Sequence, residues 1–83
     1  PKILTPVDSA RAQNLRGLVY LQQSNHPAAL KMFRAAAESD ANNATAWNNL
    51  GVEYMYNGDA ATAATCFEYA LSLDGSFRKA RLN

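Results

Sequence analysis

The chain has 83 residues, 48% hydrophobic and 18% charged, which is typical of one small globular domain and unlike a disordered segment. The net charge of +1 indicates no charged partner, and the single Cys66 excludes an intramolecular disulfide and a cysteine-based zinc site. No apolar run approaches the roughly 18 residues of a membrane span, so we expect a soluble protein whose compartment the sequence does not indicate.

The first predicted helix begins at Thr5-Pro6-Val7-Asp8. Thr5 is suited to cap a helix, Pro6 to occupy its first turn, and Asp8 follows Thr5 by three residues. We expect this helix to continue to about Gln23. Residues 1–9 are then an N-terminal lead-in that contains the helix cap.

The second predicted helix follows a short turn, Ser24-Asn25-His26-Pro27. Asn25 is a suitable cap and Pro27 fits the first turn, while His26 is expected to be solvated. Ala29, Phe33 and Ala36 are spaced to share one face of this helix. The predicted helix is therefore packed mainly through small residues around a single ring.

Two further helices and a short C-terminal helix complete the prediction. The third helix covers about Ala44 to Tyr56, after the turn Asp40-Ala41-Asn42-Asn43. Asn57-Gly58-Asp59 separates it from the fourth helix, which continues to about Leu73, because Gly58 suits a left-handed stop and Asp59 a cap. A fifth helix is predicted from Phe77 to Asn83.

A period of 34 residues relates the two halves of the chain. Residues of the same type recur at this offset in the pairs Gly17 and Gly51, Tyr20 and Tyr54, Ala29 and Ala63, Phe33 and Phe67, Ala36 and Ala70, and Asp40 and Asp74. An ordered series at one offset predicts an internal structural repeat, in which hairpins of helices stack side by side.

The third helix has two faces that differ from a solvated surface. Trp47, Leu50, Gly51 and Tyr54 form one stripe, and Gly51 is expected to face the neighbouring helix closely, near Ala63. A second stripe carries the amides and apolar side chains Asn48, Asn49, Val52, Met55 and Tyr56. Such a helix is either buried on both sides or buried on one and available for binding on the other.

The second copy resembles the tetratricopeptide repeat, with matches at Trp47, Leu50, Gly51, Tyr54, Gly58, Ala63, Phe67 and Ala70. The first copy keeps Gly17, Tyr20, Ala29, Phe33 and Ala36. It departs at Gln13 and Arg16, where Trp and Leu are usual, and both copies lack the usual proline near the end (Ala41 and Gly75).

The resemblance implies an all-α fold of antiparallel helix-hairpin repeats, a right-handed α-solenoid of about four helices plus a C-terminal helical stub. Residues 10–43 are the predicted first repeat, 44–77 the second, and 78–83 the start of a third repeat or a capping helix. Two copies and a stub are fewer than the roughly three that such arrays need. We therefore expect a part of a longer array or a chain that pairs with another copy.

The resemblance also implies a function. Members of this family hold a peptide or protein segment in a concave groove, and they serve as scaffolds or adaptors in assemblies such as chaperone, pilus-assembly and secretion complexes. The matching groove residues here are Arg11, Asn14, Leu18, Leu21, Gln22, Asn48, Asn49, Val52, Met55, Tyr56 and Lys79. A clamp for a C-terminal carboxylate is not expected, because Asn14 and Leu18 occupy positions where such members have Lys and Asn.

Two other classes of function are weighed against this one. Self-assembly into homo-oligomers through the repeat faces is the main alternative. Binding of nucleic acid is weaker, because the second repeat is acidic rather than basic. One His, one Cys and scattered carboxylates form no nucleophile–base pair or metal cluster, so we expect no enzyme and no cofactor.

Overall fold

A computed structural model describes residues 5–73, which form four consecutive helices. Helix α1 spans Pro6–Gln22, α2 spans His26–Ser39, α3 spans Ala44–Tyr56 and α4 spans Ala60–Leu73. Helices account for 84% of these described residues, which contain no strand, so the predicted all-α fold is confirmed. The predicted helix from 77 to 83 lies outside the described residues.

Capping side chains fix where the helices begin. The Thr5 hydroxyl accepts a hydrogen bond from the Asp8 backbone N–H at 3.1 Å, and Pro6 occupies the first turn of α1. The Asn43 side chain likewise accepts from the Ala46 backbone N–H at 3.0 Å at the start of α3. These caps satisfy amide groups that have no partner inside their own helix.

Equivalent residues with positive φ end α1 and α3. Ser24 has φ +60°, and Gly58, which follows it by 34 residues, has φ +84°. Gly58 adopts this conformation without the steric cost that a Cβ brings. Each turn is followed directly by the cap of the next helix, Asn25 for α2 and Asp59 for α4.

Helix α3 is the centre of the packing. Helices α1 and α2 form one hairpin and α3 and α4 form the other, while α2 and, less extensively, α1 pack against α3. Helix α3 therefore contacts each of the other three described helices. This position explains why neither of its two predicted stripes is a fully solvated surface.

Small residues dominate the core, which lets the helices approach closely. The cluster of buried residues comprises Ala10, Ala29, Phe33, Ala36, Ala37, Ala46, Leu50 and Cys66. Trp47 and Tyr54 are half-buried against this cluster, and Cys66 is buried as expected. The core predicted from the apolar stripe is thus largely observed, with a larger contribution from alanine.

The conserved offset of the two glycines corresponds to a glycine–phenylalanine contact inside each hairpin. A Cβ added at Gly17 would lie 2.7 Å from Cδ1 of Phe33, and one added at Gly51 would lie 2.9 Å from Cδ1 of Phe67. The expectation that Gly51 faces Ala63 is therefore wrong. The glycine makes room for a ring of the second helix rather than for its backbone.

Candidate functional site

The predicted groove residues lie on two helices that are in contact with each other. We call this surface the α1–α3 face, and its described members are Arg11, Asn14, Leu18, Leu21, Gln22, Asn48, Asn49, Val52, Met55 and Tyr56. The Asn49 side-chain amide donates to the Asn14 carbonyl oxygen across a long distance of 3.5 Å. This bond joins the two helices. Lys79 lies outside the described residues.

Exposed apolar side chains make up much of the α1–α3 face. Leu18, Val52, Met55 and Tyr56 retain 43%, 46%, 54% and 65% of their exposure, respectively. Arg11 and Gln22 are also exposed, whereas Asn48 and Asn49 are half-buried. The face therefore combines accessible apolar surface with amides, as its sequence pattern suggests.

Asn14 and Leu21 are less accessible than the other members of the face. Asn14 is only 6% exposed, and Leu21 is half-buried against the core cluster. Asn49 is also less free than its sequence position implies, because of its bond to Asn14. These three side chains contribute to packing between or beneath the helices as well as to the surface.

A pocket opens at one end of the α1–α3 face, between the N-terminal half of α1 and the first turns of α3. Its volume is about 270 Å³, and it is lined by Arg11, Asn14, Leu15, Leu18, Asn43, Thr45 and Asn49. Four of these residues belong to the predicted set. The structure thus brings residues from both repeats to one concave site.

Leu15, Asn43 and Thr45 line this pocket but were not among the predicted residues. Two of them carry a signal in the repeat, since Leu15 precedes Asn49 by 34 residues and Thr45 follows Arg11 by the same number. Extending every predicted position to its equivalent in the other repeat would have found them. Asn43 is a helix cap, and its place in the pocket follows from the tertiary structure.

A cluster of three polar side chains lies where α2 begins and α3 ends. His26 Nδ1 is 2.9 Å from Oε1 of Glu53, a residue that is 1% exposed. The His26 ring also stacks on Tyr56, with centroids 3.6 Å apart and planes 10° from parallel. The expectation that His26 is solvated is therefore wrong. A buried carboxylate without a hydrogen-bonding partner is costly, and His26 provides that partner.

A second cleft lies between α2 and α4, above α3. Its volume is about 480 Å³, and it is lined by Arg34, Ala37, Glu38, Ala41, Trp47, Leu50, Tyr54, Thr62, Thr65 and Cys66. The Trp47 indole N–H donates to the Ala41 carbonyl oxygen at 2.9 Å, and Arg34 donates to the Tyr54 hydroxyl at 2.9 Å. Burial raises the pKa of the Cys66 thiol, and the charge of Asp59 adds to this effect. The thiol is thus kept in its unreactive protonated form.

The described residues offer little for chemical catalysis. Among residues 5–73, no group of three or more His, Cys, Asp and Glu side chains is arranged to hold a metal ion. A search of the same part of the chain found no helix with the length and apolar character needed to cross a membrane.

The fold and the face define the class of protein: a helical repeat in which two equivalent hairpins present their first helices on one side. Two models described as tetratricopeptide repeat match the chain, one at residues 7–44 and the other at 44–77. The chain belongs to the tetratricopeptide repeat family. No curated protein matched the chain.

Membership in this family carries a general statement about function. Tetratricopeptide repeats are protein–protein interaction modules, and the family is a non-catalytic repeat module. Protein partners follow from this membership.

Proposed function

We propose that the α1–α3 face binds a peptide or protein segment of a partner, and that the chain acts as a scaffold or adaptor in a larger assembly. We take residues 10–43 and 44–77 as the two repeats that supply the face. The observation that supports binding here is the row of exposed apolar side chains on two packed helices, Leu18, Val52, Met55 and Tyr56. Exposed apolar surface of this kind is typical of interaction sites.

The amides of the same face suit recognition of a polypeptide. An asparagine side chain can donate and accept hydrogen bonds at once, so it can pair with backbone groups of a bound segment. Asn48 and Asn49 are half-buried, so bonds that they form with a partner would be partly shielded from water. Apolar contact would then supply affinity, and the amides would fix the path of the segment.

Capture of partners by matched variants tests this function. Wild type, Val52→Asp and Val19→Asp would be immobilised and exposed to a cell extract, and retained proteins would be mapped to a minimal peptide. Val52 lies on the face and Val19 off it, and the two are similarly exposed, at 46% and 51%. We expect Val52→Asp to lose the partner and Val19→Asp to keep it. Equal retention by both variants would contradict binding at this face.

Titration of the mapped peptide measures the role of the amides. We expect Asn49→Ala to weaken binding by about 1–3 kcal/mol, because a partner group in the shielded face loses its hydrogen bond. The mass of the protein alone, measured by light scattering, tests the self-assembly alternative. A stable oligomer whose dissociation accompanies Val52→Asp would assign the face to a second copy of the chain. The absence of a nucleic-acid partner remains a prediction.

A further inference from the structure

The pocket at the N-terminal end of the α1–α3 face is unusual in the hydrogen-bonding groups that remain available in it. The Asn14 carbonyl oxygen already accepts from Asn49, and the Asn43 carbonyl oxygen already accepts from the Ala46 backbone N–H. Two of the amide acceptors that line the pocket are thus occupied within the protein. Their NH₂ groups make no hydrogen bond to any residue in the range 5–73.

The buried amide is the most informative of these groups. Asn14 is 6% exposed and lines the pocket, yet its side-chain nitrogen has no partner among the described residues. A donor at such a site is costly to leave unpaired, so an acceptor from a ligand would stabilise it. Asn49 and Thr45 add a second amide nitrogen and a hydroxyl to the same wall.

The charge of the pocket has the matching sign. Arg11 is exposed at its edge and forms no ion pair within residues 5–73, and none of the seven lining residues is acidic. The pocket also adjoins the first turn of α3, where the free backbone N–H groups and the helix dipole favour negative charge. A cation and several donors, with few free acceptors, select a group that only accepts hydrogen bonds and carries negative charge.

We propose that this pocket binds the carboxylate of an Asp or Glu side chain within the segment held by the α1–α3 face, an inference that rests on the proposed function. Val7, Arg11, Asn14 and Leu18 form one stripe of α1, and Val7 and Leu18 are 51% and 43% exposed. Apolar surface therefore continues on both sides of Arg11. A segment that covers both sides passes through the pocket, so an internal side chain suits it better than a chain end.

Selection from a random library of C-terminally amidated 12-residue peptides provides the probe. We expect the selected peptides to share an acidic residue at one position, with apolar residues on both sides of it. Replacing that residue by Gln or Asn in a synthetic peptide is expected to weaken binding about tenfold or more, which is the usual effect of losing a charge-assisted hydrogen bond. Arg11→Gln in the protein is expected to have a similar effect.

A double-mutant cycle shows whether the two groups meet. The neutral peptide should bind Arg11→Gln no more weakly than either single change does, because the shared interaction has already been lost. Arg16→Gln is the matched control, since it removes the same charge from an exposed position of α1 that does not line the pocket. It should leave the affinity within about twofold, as expected for a charge separated by screening solvent.

Each other outcome counts against the inference in a distinguishable way. Peptides that lose binding to Val52→Asp but show no acidic preference would overturn the pocket and leave the proposed function intact. Additive effects of Arg11→Gln and the neutral peptide would overturn it as well. So would tight binding that requires a free C-terminal carboxylate in place of the internal acid. A library that yields no binding peptide at all would overturn both this inference and the proposed function.

Discussion

Positions 19 and 53 are equivalent in the two hairpins, but their burial is the reverse of what their side chains favour. Val19 is 51% exposed, whereas Glu53 is 1% exposed. The reason lies in the neighbours: this side of α3 faces the start of α2, where His26 pairs with Glu53, and no described helix covers Val19. Burial in a repeat is thus set by what stacks on a position as much as by the residue it holds.

The glycine–phenylalanine contacts differ between the hairpins in a related way. Phe33, opposite Gly17, is completely buried, whereas Phe67, opposite Gly51, is half-buried. Phe33 lies in the shared core where α2 packs on both α1 and α3, while α4 contacts α3 alone among the described helices. The same local motif is therefore rigidly enclosed in one hairpin and partly open in the other.

The largest expected effect comes from removing the partner of Glu53. His26→Ala leaves a buried carboxylate without its hydrogen bond, and breaking such a pair typically costs about 3–5 kcal/mol. We expect a value near the lower end, because the His26 side chain is 24% exposed and water can partly replace it. Urea unfolding followed by circular dichroism measures this change in the free energy of unfolding.

Two further variants sharpen the contrast between positions 19 and 53. Val19→Ala should change stability by no more than about 0.5 kcal/mol, as is usual for an exposed position. His26→Ala combined with Glu53→Met should recover much of the loss, because the buried charge is gone. A double variant as unstable as His26→Ala alone would show that the carboxylate is not the source of the cost.

An intermediate effect is expected from adding a methyl group at each glycine. Gly17→Ala should be destabilising by about 1–2 kcal/mol, because overpacking against the enclosed Phe33 exceeds the gain of about 1 kcal/mol in helix propensity. Gly51→Ala should cost less, since the half-buried Phe67 has room to shift. Gly51→Leu, which is larger, should still destabilise the domain. The midpoints of urea unfolding give the order of the three variants.

Rescue distinguishes overpacking from other causes. Adding Phe33→Leu to Gly17→Ala makes room for the methyl group, so the double variant should lose less stability than the sum of the two changes. A Gly17→Ala protein that is more stable than wild type would refute the close contact with Phe33. Equal losses at Gly17 and Gly51 would refute the difference between the hairpins.

The smallest expected effect concerns acid stability and compares the caps of α2 and α4. Asn25 and Asp59 are equivalent, and each accepts from a backbone N–H three residues on, Ala28 at 3.3 Å and Thr62 at 3.1 Å. Hydrogen bonds from the side chain and backbone of Thr62 hold the pKa of Asp59 below its usual value of 3.8. A lowered pKa stabilises the fold above the unfolded-state value and loses this effect as pH falls through the folded-state value.

The acid dependence of unfolding tests this cap directly. Asp59→Asn should flatten the decline in stability below about pH 3.8, with little change at neutral pH, since Asn also caps helices well. Asn25→Asp should steepen the same decline by giving α2 a titrating cap. Identical pH profiles for wild type and Asp59→Asn would show that other carboxylates control the acid limb.

The four helices were predictable because their signals are local. Caps such as Thr5 and Asn43, the left-handed Gly58 and the 34-residue period each act within a few residues or repeat at a fixed offset. The stripe of Asn49, Val52 and Tyr56 was predictable for the same reason, since helical spacing determines which residues share a face. Leu15 and Thr45 were within reach of the same period, although the stripe alone did not include them.

The contacts that cross between hairpins were not predictable in this way. His26 and Glu53 are 27 residues apart, a separation unrelated to the repeat, and nothing in either residue's type or neighbours indicates a buried pair. The unpaired amide of Asn14 and the rings facing Gly17 and Gly51 likewise depend on how adjacent helices are placed. The sequence by itself determined the helices, their caps and the repeat, because these arise from short-range backbone and spacing rules. Only the tertiary structure decided which equivalent positions are buried and which donors remain free, because both depend on the neighbour that each hairpin happens to have.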